Sequence, residues 1–174
     1  MIPAFVPMND RGAFLSELRI DKRRVTATVT LAAGTPVAGA LFLADQAATH
    51  AGPERLLDVL NAGPGFVPFE AVSPVGQRYT QLLNLAHVVV VQADRSVVEL
   101  AEDAAYQVAP KKSVSLQLAS GEELRGVLRV ERPAGRDRLS DSVRGQAGFR
   151  YLEGASGVLA VNLAHVVRIT PLQE

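Results

Sequence analysis

The sequence predicts an all-β protein with minor helix, organised as two tandem five-stranded small β-barrels, each with one short helical segment. Three observations predict it. Stretches of the chain alternate apolar and polar residues with a period of two, glycines and turn residues punctuate those stretches, and ordered blocks of the first half recur in the second.

The recurrence is the firmest of the three. Asn84-Leu85-Ala86-His87-Val88-Val89 is written again as Asn162-Leu163-Ala164-His165-Val166-Val167, a separation of 78 residues (84 to 162). Arg55-Leu56-x-Asp58 returns as Arg138-Leu139-x-Asp141, 83 residues on (55 to 138). Gly65-Phe66 and Glu70 match Gly148-Phe149 and Glu153 at that same separation. Leu31-x-x-Gly34 and Gly39 return as Leu118-x-x-Gly121 and Gly126, 87 residues on (34 to 121). The shrinking separation means that the second copy is shorter between blocks. Loops tolerate such changes and paired strands do not, so 44–53 and 73–79 are expected to be loops. The organisation that follows is an N-terminal extension over 1–23, a first barrel over 24–93, a connecting segment over 94–111 and a second barrel over 112–174.

Each unit opens with an alternating strand. Val25, Ala27, Val29 and Leu31 share one face opposite Thr26, Thr28 and Thr30, and Val114, Leu116 and Leu118 alternate with Ser113, Ser115 and Gln117. Ala33-Gly34-Thr35 and Ser120-Gly121-Glu122 are hairpin turns. The second strands, 37–43 and 124–130, carry Gly39 and Gly126 internally, where glycine marks a bulge or sharp bend. Leu56 with Leu60, and Leu139 with Val143, lie four apart and suit one or two helical turns. Third strands follow at 66–72 and 149–153, and fourth strands at 79–83 and 158–161. A tight Asn-Leu-Ala-His turn then leads to fifth strands at 88–92 and 166–170. The run Val88-Val89-Val90-Val91 is a strong β-former expected at a barrel edge. In the connecting segment, 96–102 is too apolar for a free linker and is expected to pack against a barrel.

Five short strands, a bent second strand holding Gly39 or Gly126, and the closing Asn-Leu-Ala-His-Val-Val resemble the Sm-like or SH3-like small barrel. The Arg-Leu-x-Asp and Gly-Phe blocks also resemble a family of uncharacterised bacterial small domains. That second likeness implies no activity. The first would imply RNA binding where a loop rich in Asp and Asn follows strand two and an Arg-Gly pair precedes strand five. Here Glu131-Arg132-Pro133 follows the second strand of the second copy, and Asn84-Leu85 and Asn162-Leu163 occupy the final turns.

Composition narrows the function. Lysine plus arginine equals aspartate plus glutamate at 18 each, so no net charge directs the chain to nucleic acid or an anionic membrane. Without cysteine there are no disulfides and no thiolate metal sites, which fits a reducing compartment, and the expected location is the cytoplasm. No run approaches the ~18 apolar residues of a membrane span, and no membrane association is expected.

Candidate sites are few. His87 and His165 have the chemistry of a base, a metal ligand or a pH switch, but no carboxylate or second histidine neighbours them in sequence. With Asn84 and Asn162 they are expected to satisfy backbone groups in the turn. Arg55 with Asp58, and Arg138 with Asp141, can meet on one helical face. Either the aspartate caps or pins the segment or the arginine reaches across to a barrel carbonyl, and the alternative is that Arg55 and Arg138 bind an anion. Lys111, Lys112 and Arg125 with Arg129, Arg132, Arg136, Arg138, Arg144 and Arg150 make the second copy locally basic, the last six being the candidate anion or nucleic-acid contacts, with Phe149 and Tyr151 available to stack on bases. No phosphate loop, dinucleotide fingerprint, nucleophile elbow or His-Glu-x-x-His motif occurs. The expectation is a non-enzymatic interaction or assembly module, without cofactor or metal, acting on a protein partner or on itself. RNA or single-stranded DNA binding through the basic face of the second copy is the alternative.

Overall fold

The structure, a computed structural model, describes residues 22–34, 36–93, 104–130, 139–144, 147–155 and 157–172, and at 104, 105, 141 and 142 the backbone alone. Ten antiparallel strands build it: β1 (Lys22–Leu31), β2 (Val37–Ala44), β3 (Phe66–Val72), β4 (Arg78–Asn84), β5 (Val88–Ala93), β6 (Lys111–Leu118), β7 (Glu123–Arg129), β8 (Phe149–Gly154), β9 (Gly157–Asn162) and β10 (Val166–Pro171). Three five-residue helices accompany them: α1 (Leu56–Leu60), α2 (Ala104–Val108) and α3 (Leu139–Val143). A 3-10 turn over Leu85–His87 precedes β5, and one over Leu163–His165 precedes β10. The expected 1–23 extension falls outside the described residues except for Lys22 and Arg23, which begin β1. In the connecting segment, 94–103 also falls outside them.

All ten strands join one open sheet in the order β10-β6-β7-β8-β9-β5-β1-β2-β3-β4. The first five strands form one contiguous block and the last five another. Every ladder inside one block recurs in the other at the same register. Ala27 faces Gly39 as Val114 faces Gly126, and Ala40 faces Glu70 as Val127 faces Glu153. Phe66 faces Asn84 as Phe149 faces Asn162. Both closing ladders skip one valine: Leu31–Val88 is followed by Thr30–Val90, and Leu118–Val166 by Gln117–Arg168. Val89 and Val167 are therefore bulged residues at matching places.

The glycines of the bent strands have a steric cause. A Cβ on Gly39 would meet the carbonyl oxygen of Glu70, with the Phe69 ring 2.6 Å away. On Gly126 it would lie 2.5 Å from the Glu153 oxygen. Here β3 and β8 cross closely over β2 and β7 through ladders of two residue pairs each. Only a residue without a side chain allows that approach.

One expectation is corrected. Val88–Val91 does not lie at an edge, because β5 is internal, hydrogen-bonded to β1 on one side and to β9 on the other. The joint pairs Val90 with Val161, Val91 with Ala160 and Gln92 with Leu159. The outermost strands are β4 and β10. The two blocks also share cores. Phe149, Tyr151, Val158 and Ala160 of the second block pack with Val25, Leu41, Leu56, Phe69 and Val91 of the first. Val89 and Val90 pack with Val114, Leu116, Leu128 and Leu152 of the second. Burying such side chains contributes about 1.5–3 kcal/mol each, so the halves are fastened by the same force that folds them.

Candidate functional site

The repeated turn does a structural job in both blocks. Asn84 Oδ1 accepts from the Ala86 amide at 3.0 Å, and Asn162 Oδ1 accepts from that of Ala164 at 3.1 Å. The carbonyls of His87 and His165 accept from Ala32 and Ala119 at 2.9 and 2.8 Å, tying each turn to the end of the first strand.

The side chains of the second turn do more. Asn162 is buried, and its Nδ2 donates to the carbonyls of Val88 at 3.0 Å and Leu85 at 3.4 Å. His165 Nε2 donates to Ala86 O at 2.9 Å, which fixes the proton on that nitrogen because a carbonyl can only accept. Asn61, just after α1, completes the clasp: its Oδ1 accepts from the Phe149 amide at 2.7 Å and its Nδ2 donates to the Phe149 carbonyl at 3.2 Å. Gly148, at φ +98°, sits against Asn61 Oδ1, where a Cβ would collide. These contacts all cross from one block to the other.

Asp58 Oδ2 accepts from the Arg55 backbone amide at 2.7 Å, closing the first turn of α1, and pairs with His50 Nε2 at 2.8 Å. The Ala51 carbonyl, followed by the Asp58 carboxylate, holds the His50 pKa above the ordinary histidine value. Arg129 is withdrawn from the surface, its side chain 8% exposed. It donates to Glu153 Oε1 at 2.8 Å and to the carbonyls of Gln107 and Tyr106 at 3.0 and 3.3 Å, and it lies 5.0 Å over the Tyr106 ring. The Tyr106 hydroxyl donates to the same Glu153 oxygen at 3.0 Å. Burial opposes ionisation of Glu153, but the bonds from Arg129 and Tyr106 outweigh it and hold the carboxyl below the usual range. Burial, then Glu153, pushes the Tyr106 hydroxyl far up. Of the remaining cations, Arg144 is exposed beside α3 and Arg150 is half-buried on β8. Arg132, Arg136, Arg138 and the Asp141 side chain lie outside the described residues. Of the six arginines expected to form an anion-binding surface, Arg129 is thus locked in an ion pair, Arg144 and Arg150 lie at described places, and the other three lie outside the described residues.

Among the described residues no group of three or more His, Asp and Glu side chains is gathered to hold a metal, and no helix is long and apolar enough to cross a membrane. A cleft of about 300 Å³ opens on the seam between the hairpin turns at Leu31–Gly34 and Leu118–Glu122. Its polar lining is Thr30, Ser120, Glu122 and His165, whose Nε2 is already bonded to Ala86.

No family model, curated protein or solved structure matches this chain.

Among the described residues, exposed apolar side chains gather on and beside the outermost strands. Phe149 is 3% exposed at the joint, whereas its counterpart Phe66 is 64% exposed. Ala160 is 1% exposed and its counterpart Leu82 65%; Val89 is 6% exposed and its counterpart Val167 64%. Tyr79, Val72 and Leu172 extend the same two borders. Among the described residues, β4 and β10 each have one strand neighbour, β3 and β6. Their second rows of backbone N–H and C=O groups face outward. The sequence missed Asn61, His50 and Tyr106 altogether. Nothing in their local pattern announces partners 88, 8 and 47 residues away.

Proposed function

We propose that this chain is a non-enzymatic assembly module that recruits protein by strand addition at its two sheet edges. The observation that carries the reading is a contrast: positions buried where the two blocks meet have large, exposed apolar counterparts at β4, at β10 and on the neighbouring β3. An open edge supplies main-chain hydrogen bonds, and alternate side chains supply the specificity. The repeated registers support reading the halves as two small-barrel units, of the Sm-like or SH3-like kind, duplicated and fused through a shared sheet. The absence of cysteine from the sequence suits a reducing compartment such as the cytoplasm.

Nucleic-acid binding through the second block is the weaker reading, because Arg129 is bound to Glu153 and Arg125 pairs with Glu123 at 2.8 Å. The test is to recover the tagged chain from its native cell with whatever it holds, and to compare amide hydrogen exchange before and after stripping. Slower exchange in β4 or β10 of the complex, lost in Leu82→Lys and Val167→Lys, is expected. A complex that survives both substitutions refutes the reading, as does protection that maps to the basic side of the second block.

A further inference from the structure

We propose that the occupant of these edges is a second copy of the chain, added head to tail, with β10 of one molecule pairing antiparallel with β4 of the next. The inference rests on the assembly reading and names its partner.

The chain already contains the joint that this requires. Inside the molecule, the closing strand of the first block, β5, pairs with the fourth strand of the second, β9. The two remaining edges are the closing strand of the second block and the fourth strand of the first. They are the same pair of surfaces, and each has its donor and acceptor rows free among the described residues. Moving the internal ladder by the 78-residue separation gives the new register. Val90–Val161, Val91–Ala160 and Gln92–Leu159 become Arg168–Leu83, Ile169–Leu82 and Thr170–Gln81.

Three details fit this register. Pro171, which cannot donate, matches Ala93, one residue beyond the internal ladder. The bulged Val89 projects into the core of the second block, and its exposed counterpart Val167 is bulged in the same way. Phe66 and Leu82 stand on β3 and β4 where Phe149 and Ala160 receive β5. A joint that does not return on itself repeats, so the product is a closed ring or an open filament.

The outer joint is also weaker than the inner one. Arg168 replaces Val90, and Arg144, at the 83-residue separation, stands where Asn61 clasps Phe149. Assembly is therefore concentration-dependent.

The cysteine-free chain allows a direct experiment. Leu82→Cys and Ile169→Cys are placed together in one full-length chain and oxidised with oxidised glutathione. Val91→Cys with Ala160→Cys, at the corresponding internal positions, serves as the geometric benchmark and closes within one chain. The expected result is a non-reducing ladder at multiples of 18.5 kDa, absent from either single-cysteine chain. Light scattering of the cysteine-free chain should show association that Leu82→Lys weakens about tenfold or more, the loss of one buried leucine.

A dimer from Leu82→Cys alone would mean symmetric β4–β4 pairing and overturn the head-to-tail order. A chain that stays monomeric, yet loses a cellular partner on Leu82→Lys, overturns the second copy and leaves the assembly reading standing. A monomer that holds nothing at either edge overturns both. Leu82 is exposed and Ile169 half-buried, and an unchanged melting curve of their variants excludes misfolding as the cause.

Discussion

Replacing Gly39 by alanine sets two effects of opposite sign against each other, and the structure decides between them. Alanine in a strand interior is ordinarily favoured over glycine by about 0.5–1 kcal/mol, because less chain entropy is lost. At Gly39 the new methyl would be driven against the Glu70 carbonyl oxygen, with two carbons of the Phe69 ring 2.6 Å away. Phe69 is fully buried, and the carbonyl belongs to the backbone of β3, so neither can turn aside. Overpacking of this kind costs about 1–3 kcal/mol. Relief by moving β3 would sacrifice the short ladder that joins Gly39 and Ala40 to Ala71 and Glu70, at about 1 kcal/mol per hydrogen bond. The net expectation is a loss of about 2–4 kcal/mol, or a fall in Tm on the order of 5–15 °C for a chain of this size. Gly34 is the control: a Cβ there meets nothing within 4 Å, so Gly34→Ala should leave the Tm unchanged or raise it. Urea and thermal unfolding of both variants measure the difference. A Gly39→Ala protein as stable as the parent would refute the claim that close approach of β3, and not chain flexibility, keeps glycine in that strand.

The two matched phenylalanines should respond differently. Phe149→Ala opens a cavity under the joint and should cost about 3–5 kcal/mol in denaturant unfolding, whereas Phe66→Ala in dilute monomer should change stability by less than about 1 kcal/mol. Glu153 supplies a pH dependence. Its folded pKa lies below the unfolded value, so its contribution is complete above about pH 4.5 and is lost as the pH falls through the depressed folded pKa. Acid titration of stability should show that loss in the parent and a shallower one in Glu153→Gln.

The elements within each block were legible because local rules write them. Period-two alternation marks β1 and β6, and glycine marks the bends in β2 and β7. The Asn at position 84 or 162 marks a turn whose first free amide needs an oxygen, and its Oδ1 supplies it. The order of strands across the blocks was not legible, because it depends on which of two similar edges meets which. Signals for it existed. Val88-Val89-Val90-Val91 is an uninterrupted apolar run, the pattern of a strand covered on every side. Its counterpart, Val166-Val167-Arg168-Ile169 followed by Pro171, carries the charge and the proline that edge strands bear. Compared with each other, the two copies place β5 inside and β10 outside. Without that comparison the run marks a strong β-former and not which strands flank it. The Arg129–Glu153–Tyr106 group was illegible for a different reason. Glu70, the counterpart of Glu153, is paired with Arg24 of β1, with Nε and Oε1 at 2.9 Å. The same carboxylate position is thus neutralised from different strands in the two blocks, and no repeat pattern could transmit that.

The asymmetry between the inner and outer surfaces follows from how each is presented to a partner. The inner surfaces of β5 and β9 are held together by one chain, so their effective concentration is high. Side chains such as Val89, Val90 and Ala160 can be wholly apolar there without exposing the protein to aggregation. Among the described residues, no strand covers the outer surfaces of β10 and β4. A flat, fully apolar copy of β5 at that border would pair indiscriminately with any extended chain. Arg168 in place of Val90, Pro171 after the ladder and Arg78 at the start of β4 temper that tendency without removing the apolar contacts of Phe66, Leu82 and Val167. Charge and proline at the margin of a sticky strand discriminate against wrong partners more than they weaken the right one. On the assembly reading proposed above, the substitutions that distinguish the second copy of the closing strand from the first are those expected of an edge that selects its occupant.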